Sequence, residues 1–340
     1  MKALVTGASG FLGRHVVTAL VREGHDVRAS VRPAAHVEGL GWPASVDIFR
    51  GDLRSTPHLE PAFDGVDVLV HLAAAVSGGD DLRFAATVVG TERLLDAMAR
   101  TACRRLVLAS SFAVYDFSAT RGTLDENAPL HPVPDVYARD GYTIAKLWQE
   151  RVTRRLAERH GWDLTVLRPG FIWGRDHSYL AALGQRVGRL HIVIGPLTRM
   201  PLTHVENCAD LFALAASDPR ASGETFNVVD GRGERIWNFL GHHLRGTGEK
   251  GLRIPVPYWL ALSLVRLAYA TVFRSATKVP SLLVPNRFES RLKPLTFTNR
   301  RARDILGWQP RLAFRECLSR TYGPPAPPGL PGRVEQSLRP

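Results

Sequence analysis

A glycine-rich turn near the start of the chain constrains the fold more than any other feature of the sequence. A short apolar run at residues 2–5 is followed at once by Thr6-Gly7-Ala8-Ser9-Gly10-Phe11-Leu12-Gly13. Glycines let a chain turn tightly and let its backbone approach a pyrophosphate, whose charge the N-terminus of the next helix stabilises. The spacing differs from the GxGxxG fingerprint, so a purely structural turn is the alternative. We predict a dinucleotide-binding turn, with contacts from Gly7, Ser9, Gly10, Phe11, Leu12 and Gly13.

Short apolar runs alternate with longer stretches of helical spacing along the first half of the chain. Continuous apolar runs are typical of parallel strands that are buried on both faces. The runs predict strands at residues 2–5, 26–31, 46–49, 66–72, 105–109 and 164–167, and helices at 13–23, 90–100 and 141–160. This alternation indicates βαβ units. We therefore predict an α/β fold with a Rossmann-type doubly wound parallel sheet.

The pattern becomes irregular after residue 174, with many prolines and glycines and only short helices. We predict a dinucleotide-binding domain over residues 1–174, to which strands return from residues 200–230, and a smaller C-terminal substrate-binding lobe over residues 175–322. Ligands of open α/β sheets bind at the carboxyl ends of the strands, so the lobe should cover that edge. The tail, residues 323–340, is rich in proline and glycine and is expected to be disordered.

Composition and charge exclude several classes of protein. The 340 residues include three cysteines without a CxxC pair, so we predict neither a metal site nor a disulfide framework. The N-terminus leaves no room for a signal peptide, and we expect a cytoplasmic protein. The formal charge of +12 suggests anionic partners. No run of like charge or nucleic-acid-binding motif accompanies it, so we predict no nucleic-acid partner.

The end of the second predicted strand bears on the choice of cofactor. An NAD-preferring protein usually presents Asp or Glu there to the ribose hydroxyls, whereas this chain has Val31-Arg32. A guanidinium suits a 2′-phosphate because it pairs through charge and through a fork of donors. We favour NADP(H), with Arg32 at the phosphate. NAD(H) is the alternative, in which Arg32 is a solvated surface residue.

Two residues after the third predicted strand are candidate adenine contacts. Asp52 can accept a hydrogen bond from the adenine amino group, and Leu53 can pack on the ring. In the alternative interpretation Asp52 is only a turn residue or a helix cap, since Asp is common in both.

The candidate catalytic residues lie in the run Tyr142-Thr143-Ile144-Ala145-Lys146, with a serine pair, Ser110-Ser111, at the end of an earlier strand. Residues four apart lie on one face of a helix, so the Tyr142 hydroxyl and the Lys146 ammonium can point into the same site. A free tyrosine has a pKa near about 10, and a nearby ammonium favours the phenolate. Tyr142 and Lys146 are therefore a candidate proton-transfer pair.

Several motifs in this order resemble the extended short-chain dehydrogenase/reductase family, which includes nucleotide-sugar epimerases, dihydroflavonol reductases and 3β-hydroxysteroid dehydrogenases. The resemblance covers residues 1–320. It rests on the glycine turn, Asp52, His71-Leu72-Ala73-Ala74, Ser110 to Tyr115, Tyr142 to Lys146, Arg168-Pro169-Gly170, His204-Val205-Glu206-Asn207, Phe226-Asn227-Val228 and Ala302 to Trp308. Together these motifs are specific for the fold and weakly specific for the substrate.

The resemblance implies a role for each matching residue. Tyr142 is the general acid or base, Lys146 binds the ribose and lowers the pKa of the tyrosine, and Ser111 hydrogen-bonds the substrate oxygen. Ser111 matches the family pattern Ser-x-x-Val-Tyr, whereas Ser110 is expected to face another way. Further cofactor contacts are implied for Leu72, Ala73, Ala74, Pro169, Gly170 and Ile172. Two positions depart from the family: Thr87 stands in place of an Asn, and Asp116 in place of a Gly.

These residues disfavour one reaction of the family and leave three functions to be weighed. Ser111-Phe112-Ala113 replaces the Thr-Asp-Glu triplet of nucleotide-sugar dehydratases, so dehydration is disfavoured. We favour an NADP(H)-dependent oxidoreductase that interconverts a carbonyl and an alcohol. The first alternative is a nucleotide-sugar epimerase with bound NAD. The second is a dinucleotide-binding sensor without chemistry, which the presence of both Tyr142 and Lys146 disfavours.

The apolar stretch at residues 254–273 has three interpretations. It is marginal in length for a membrane span and is interrupted by Pro255, Pro257 and Arg266. We favour a core or pocket-lining helix; a membrane-surface helix or a lid over a lipophilic ketone are the alternatives. A basic lobe would equally suit a diphosphate-linked sugar. The family resemblance also implies a homodimer formed through the helices at residues 91–100 and 142–155.

Overall fold

A seven-stranded parallel sheet organises the chain. The computed structural model describes residues 1–75, 84–131, 141–272 and 279–324. The strands are β1 (Lys2–Thr6), β2 (Asp26–Val31), β3 (Asp47–Arg50), β4 (Val68–His71), β5 (Arg105–Ala109), β6 (Thr123–Leu124), β7 (Asp163–Pro169), β8 (Phe171–Trp173), β9 (Gln185–Val187), β10 (Leu190–Ile194), β11 (Leu202–His204), β12 (Thr225–Val228), β13 (Leu252–Val256) and β14 (Thr296–Phe297). The α-helices are α1 (Phe11–Arg22), α2 (Gly90–Ala99), α3 (Gly141–His160), α4 (Val205–Ser217), α5 (Ile236–Thr247), α6 (Tyr258–Thr271), α7 (Pro285–Leu292), α8 (Arg300–Leu306) and α9 (Phe314–Tyr322).

The strand order of the large sheet is β12-β7-β5-β4-β1-β2-β3, and each neighbouring pair is parallel. This confirms the predicted doubly wound sheet. All six predicted strands are present; β2 and β5 have the predicted ends, and the ends of the other four differ by at most two residues. The seventh strand, β12, comes from the stretch of residues 200–230 that was expected to return to the sheet.

Helices cover both faces of this sheet, which explains why its strands are continuously apolar. In β1, Ala3 and Val5 face a core shared with α1 and α4, while Leu4 faces a second core shared with α2 and the end of α3. All three side chains are fully buried. A strand buried on both faces has no solvent side on which polar residues would alternate.

The order of the strands reverses between β1 and β4, which places a cleft at that point. The chain leaves β1 into the glycine turn and α1, and it leaves β4 into residues 72–75. Thr6 and His71, the last residues of the two strands, are register partners. Ligands of doubly wound sheets bind in the crevice at such a switch point. The topology therefore brings the glycine turn and the Leu72-Ala73-Ala74 run together.

A smaller group of elements follows β8 and has its own core. A three-stranded sheet, in the order β13-β10-β9, packs with α5, α6 and α7 around buried aromatic and aliphatic side chains. Trp173 and Phe239 are both fully buried there, with ring centroids 5.0 Å apart at a near-perpendicular angle. Edge-to-face aromatic pairs of this kind stabilise a core beyond their area.

The apolar stretch at residues 254–273, for which we favoured a core or pocket-lining helix, packs only one side against the core of the lobe. The stretch begins within β13, turns at Pro257 and continues as α6. Of α6, Ala261 and Val265 are buried, whereas Trp259, Leu264 and Leu267 are exposed. Hydropathy alone does not distinguish a core helix from a surface helix, because a buried and an exposed apolar face give the same sequence signal. Across the described ranges, no helix is long and apolar enough to cross a membrane.

Two predictions fall partly outside the described residues. The expected disordered tail begins at residue 323, and residues 325–340 lie outside the described part. Residue 273, the last of the apolar stretch, also lies outside the described part.

Candidate active site

Two glycines in the turn after β1 lie so close to other backbone atoms that no side chain would fit there. Gly7 has a φ of 67°, and a Cβ there would lie 3.0 Å from the Cα of Ala73. A Cβ on Gly13 would lie 2.1 Å from the carbonyl oxygen of Gly7. Both positions therefore require glycine. The turn is held tightly against α1 and against the chain that leaves β4.

The N-terminus of α1 has the properties of an anion site. Its cap residue, Gly10, is exposed and supplies no side-chain hydrogen bond to the first turn, and that turn contains no acidic residue. The first N–H groups of a helix lack intrahelical partners and carry a partial positive charge. The predicted contacts Ser9, Phe11 and Leu12 are half-buried around this end. The chemistry of these donors fits a dinucleotide pyrophosphate.

The predicted adenosine contacts lie beside one another at the ends of β2 and β3. Arg32 directly follows β2 and is exposed. The Asp52 carboxylate accepts from the backbone N–H of Arg54, at 2.9 Å, and pairs with its guanidinium at 2.8 Å. The Arg54 hydrogen bond lowers the pKa of Asp52 to about 2, and the charge of Arg32 contributes. Asp52 is thus a turn residue with an ionised carboxylate, and Leu53 is half-buried behind it. An adenine contact from either stays a prediction.

Pro169, Gly170 and Ile172, the residues predicted at the nicotinamide face, lie together from the end of β7 into β8. Ile172 is half-buried and packs against the same core as the predicted cofactor contacts Leu12 and Leu72. Pro169 ends β7, and the next residue, Gly170, passes so close to Pro201 that a Cβ would lie 2.1 Å from its carbonyl oxygen. The arrangement fits the expected floor of a nicotinamide pocket. Ala73 and Ala74 are half-buried beside the glycine turn.

The two serines after β5 differ in what their hydroxyls can do. Ser111 begins the short 3-10 turn Phe112–Val114, and its Oγ accepts from the backbone N–H of Ala113 at 3.2 Å. That bond uses an acceptor lone pair and leaves the hydroxyl proton for another oxygen. Ser110 is buried and donates to the Glu150 carboxylate instead. Of the pair, Ser111 is therefore the one suited to contact a substrate.

Lys146 is buried in the middle of the site. Its side chain is 3% exposed, and Nζ donates to the carbonyl oxygen of Ala109 at 2.7 Å and to Gln149 Oε1 at 2.8 Å. Burial lowers the pKa of Lys146 to about 7, while the Glu150 charge acts in the opposite direction. An ammonium has three donors, so a third can point elsewhere. Tyr142, one helical turn earlier on α3, is half-buried.

A buried polar chain links Lys146 to the glycine turn, and sequence reasoning missed it. Gln149 Nε2 donates to Thr91 Oγ1 at 2.9 Å, and Thr91 Oγ1 lies 2.8 Å from His71 Nε2. His71 Nδ1 lies 2.7 Å from Thr6 Oγ1. Thr91 donates its own proton to the Thr87 carbonyl, so its contact with His71 favours the tautomer that donates from Nε2 and accepts at Nδ1. The 3.2 Å approach of Gln149 Nε2 to the same nitrogen favours the other tautomer. Burial lowers the pKa of His71 to about 3, so the ring is neutral.

The departure at Thr87 has a structural role. Thr87 Oγ1 accepts from the backbone N–H of Ala75 at 3.0 Å and so holds the chain that leaves β4. Asp116, the other departure, accepts from the backbone N–H of Ser118 at 3.0 Å within a loop. Neither side chain is placed among the catalytic candidates.

A buried ion pair fixes the face of α3 behind Lys146. Arg168 on β7 binds both carboxylate oxygens of Glu150, and the two side chains are each 4% exposed. The Arg168 guanidinium also lies over the Tyr115 ring, 4.8 Å from its centroid. Burial alone would raise the pKa of Glu150, but the hydrogen bonds and charge of Arg168 bring it below its usual value. The pair ties α3 to the sheet beside the site.

Comparison with known proteins decides the family. Residues 3–229 match the profile of the NAD dependent epimerase/dehydratase family. The chain belongs to this family, within the extended short-chain dehydrogenases/reductases. It is therefore an NAD(P)-dependent enzyme.

Relatives of this extended short-chain dehydrogenase/reductase include several oxidoreductases. A 3beta-hydroxysteroid-dehydrogenase/decarboxylase of Arabidopsis thaliana is 30% identical over 94% of this chain and 78% of its own length. A 4-hydroxy-2-methyl-3-oxo-4-farnesyl-3,4-dihydroquinoline-1-oxide ketoreductase of Stigmatella aurantiaca is 31% identical over 98% of this chain and its full length. A 3 beta-hydroxysteroid dehydrogenase/Delta 5-->4-isomerase of Mycobacterium tuberculosis is 30% identical over 93% of this chain and 89% of its own length.

Solved structures show the same fold. The UDP-glucose 4-epimerase of Thermus thermophilus in complex with NAD has a TM-score of 0.70 at 22% identity, with 95% of this chain and 98% of that chain covered. At this level of identity the likeness extends to the fold alone.

Proposed function

We propose that this enzyme is an NADP(H)-dependent oxidoreductase that interconverts a carbonyl and an alcohol. The observation that carries the proposal is the buried Lys146 ammonium, one helical turn from Tyr142 and close to the strand end that presents Ser111. The relatives that are about 30% identical support it, because they are named as dehydrogenases and a ketoreductase. The epimerases are more distant and are similar in fold.

Each side chain has a distinct part in this chemistry. The nicotinamide, when bound, exchanges a hydride with the substrate carbon. Ser111 donates to the substrate oxygen and stabilises its developing charge. Tyr142 gives that oxygen a proton in reduction or takes one in oxidation, and the Lys146 ammonium favours the ionised tyrosine. Gln149 and the Ala109 carbonyl hold the lysine in place for this role.

The substrate class follows from the named relatives. Those proteins act, by their names, on hydroxysteroids and on a farnesylated quinoline ketone. We propose that this enzyme takes a lipophilic ring ketone or the corresponding secondary alcohol.

Removal of the Arg32 side chain is expected to abolish a preference for NADPH. Wild type should bind NADPH more tightly than NADH, and Arg32→Ala should weaken NADPH by about 10- to 100-fold, the worth of a charge-assisted hydrogen bond. NADH has no 2′-phosphate, so its dissociation constant should change little. Fluorescence titration of the purified protein with each cofactor measures both constants.

A matched control is Arg300→Ala, on α8, which packs against the opposite edge strand β12. It should leave both constants unchanged. If wild type binds NADH better, or if NAD copurifies with the protein, the NADP(H) proposal is wrong and sugar epimerisation becomes the leading hypothesis.

We also propose a homodimer through α2 and α3, as the family resemblance implies. Val89, just before α2, and Trp148, on α3, are exposed large apolar side chains. Light scattering should give about twice the chain mass of 37.5 kDa, and Trp148→Glu should shift it toward the monomer because a carboxylate would be buried at the interface. A monomeric mass for wild type at micromolar concentration would refute the dimer.

A further inference from the structure

Exposed large apolar side chains are concentrated on one part of the molecule. Fourteen such side chains occur among the described residues, and ten of them lie between residues 187 and 197 or between residues 252 and 272. Isolated exposed apolar residues are normal, but a concentration of them marks a contact surface. We call the surface formed by β9, β10, β13 and α6 the apolar lobe face.

On α6 the exposed residues form a stripe. Leu260, Leu264 and Leu267 follow the spacing i, i+4, i+7 and so lie on one side of the helix. Leu264 and Leu267 are 57% and 62% exposed, and Trp259 at the start of the helix is 68% exposed. A helix on the surface of a water-soluble protein normally presents polar residues on this side. The solvent side of α6 instead carries these four large apolar side chains together with Ser263, Arg266 and Thr271.

The three-stranded sheet β13-β10-β9 also has exposed apolar side chains. Leu190 on β10 is the register partner of Val187 on β9 and of Leu252 on β13, so the three side chains form one row across the sheet. All three are exposed. On β10, His191 and Val193 lie on either side of the half-buried Ile192 and are buried against the lobe. The sheet therefore turns an aliphatic row outward, and the chain continues from β13 through Pro257 into α6.

Positive charge surrounds the apolar lobe face. Residues 250–288 contain six Lys or Arg and no Asp or Glu. Arg189 and Lys250 are exposed beside the aliphatic row. Arg266 on α6 has a 60% exposed side chain and pairs with Glu289 at 3.4 Å, and Glu249 beside Lys250 pairs with Arg186, so cations outnumber anions around the face. Two copies of this chain that met through the face would bring these cations together. Charge complementarity therefore favours an anionic occupant over a second copy.

We propose that the apolar lobe face docks on an anionic membrane surface. Leucine, isoleucine and tryptophan enter the boundary between headgroups and acyl chains, and the flanking arginines and lysine pair with lipid phosphates and carboxylates. At 14 residues, α6 is ~21 Å long, shorter than the ~30 Å hydrocarbon core, so it lies in the interface. The docking does not depend on the proposed reaction. It would bring the enzyme close to lipophilic molecules in the membrane.

Vesicle flotation of the full chain tests the proposal. We expect the protein to float with phosphatidylcholine vesicles that contain about 30 mol% phosphatidylserine and to float poorly with phosphatidylcholine alone. The triple variant Leu260→Gln, Leu264→Gln, Leu267→Gln should reduce the floated fraction at least about tenfold, because apolar burial supplies most of the binding. These side chains are exposed, so the variant should fold, which an unchanged NADPH affinity would verify.

Two single variants test whether the loss of any exposed leucine, on or off the face, reduces flotation. Leu264→Gln should weaken flotation, whereas Leu130→Gln, 39% exposed and outside the face, should not. Added salt should weaken binding to the anionic vesicles. Equal flotation of wild type and the triple variant, or no flotation of wild type, would overturn the proposal. So would a dimer that the triple variant disrupts without any vesicle binding, since a second copy would then be the occupant.

Discussion

Tyr142→Phe is expected to lower kcat for ketone reduction by about 10²- to 10⁴-fold, the usual contribution of a positioned general acid. The ring and the helix α3 remain, and only the hydroxyl that exchanges a proton with the substrate oxygen is lost. The dissociation constant for NADPH should therefore change little. Single-turnover reduction of a lipophilic ring ketone, with NADPH absorbance as the signal, measures the rate.

Two further variants separate chemistry from structure. Tyr179→Phe removes the same hydroxyl from a tyrosine that donates to the Gly184 carbonyl at 3.2 Å, and it should retain the wild-type rate. Lys146→Met should lower kcat and also weaken NADPH, because the lysine is expected to bind the ribose as well as to favour the tyrosinate. If Tyr142→Phe keeps the wild-type rate, another group transfers the proton and the assignment to Tyr142 is wrong.

Local sequence patterns predicted much of the fold, because a parallel sheet is specified by local signals. Continuous apolar runs marked the strands, and the glycines of the first turn marked the connection between β1 and α1, which the structure places at the switch point of the sheet. Gly7 and Gly13 proved to be backbone contacts that only glycine allows. These features depend on neighbouring residues and on general packing rules, so a single sequence reveals them.

The buried polar chain behind Lys146 could not be predicted in the same way. His71, Thr91 and Gln149 come from β4, α2 and α3, and 78 residues separate His71 from Gln149. None of them belongs to a motif that requires the others. One signal was available: Gln149 lies three residues after Lys146 and hence on the same side of α3. The exposed side of α6 was only an alternative in the sequence analysis, because hydropathy does not distinguish a buried apolar face from an exposed one.

Loss of the Arg168 side chain should be the most destabilising of these substitutions. Arg168→Met leaves the Glu150 carboxylate buried with Ser110 and with Arg154, whose side chain is 40% exposed. Breaking a buried ion pair from one side costs about 3–5 kcal/mol of the free energy of unfolding, because the remaining charge loses its compensation. Urea denaturation of both proteins at pH 7 measures the difference.

The double variant Arg168→Met, Glu150→Leu distinguishes the pair from the packing of its side chains. It removes the orphaned charge along with its partner, so its free energy of unfolding should lie well above that of Arg168→Met alone. A double variant that is no more stable than the single one would show that Arg168 acts through packing, on the Tyr115 ring for example, and not through the charge of Glu150.

The pH dependence provides an independent check with a definite sign. In wild type the pKa of Glu150 is below its unfolded value, so the carboxylate contributes stability above that value and loses it as the pH falls through the folded pKa. Without Arg168, burial should raise the pKa of Glu150 above the unfolded value of about 4.3, and protonation should then relieve the orphaned charge. The destabilisation caused by Arg168→Met should therefore be full at neutral pH and shrink in acid, whereas a pure packing defect would be independent of pH.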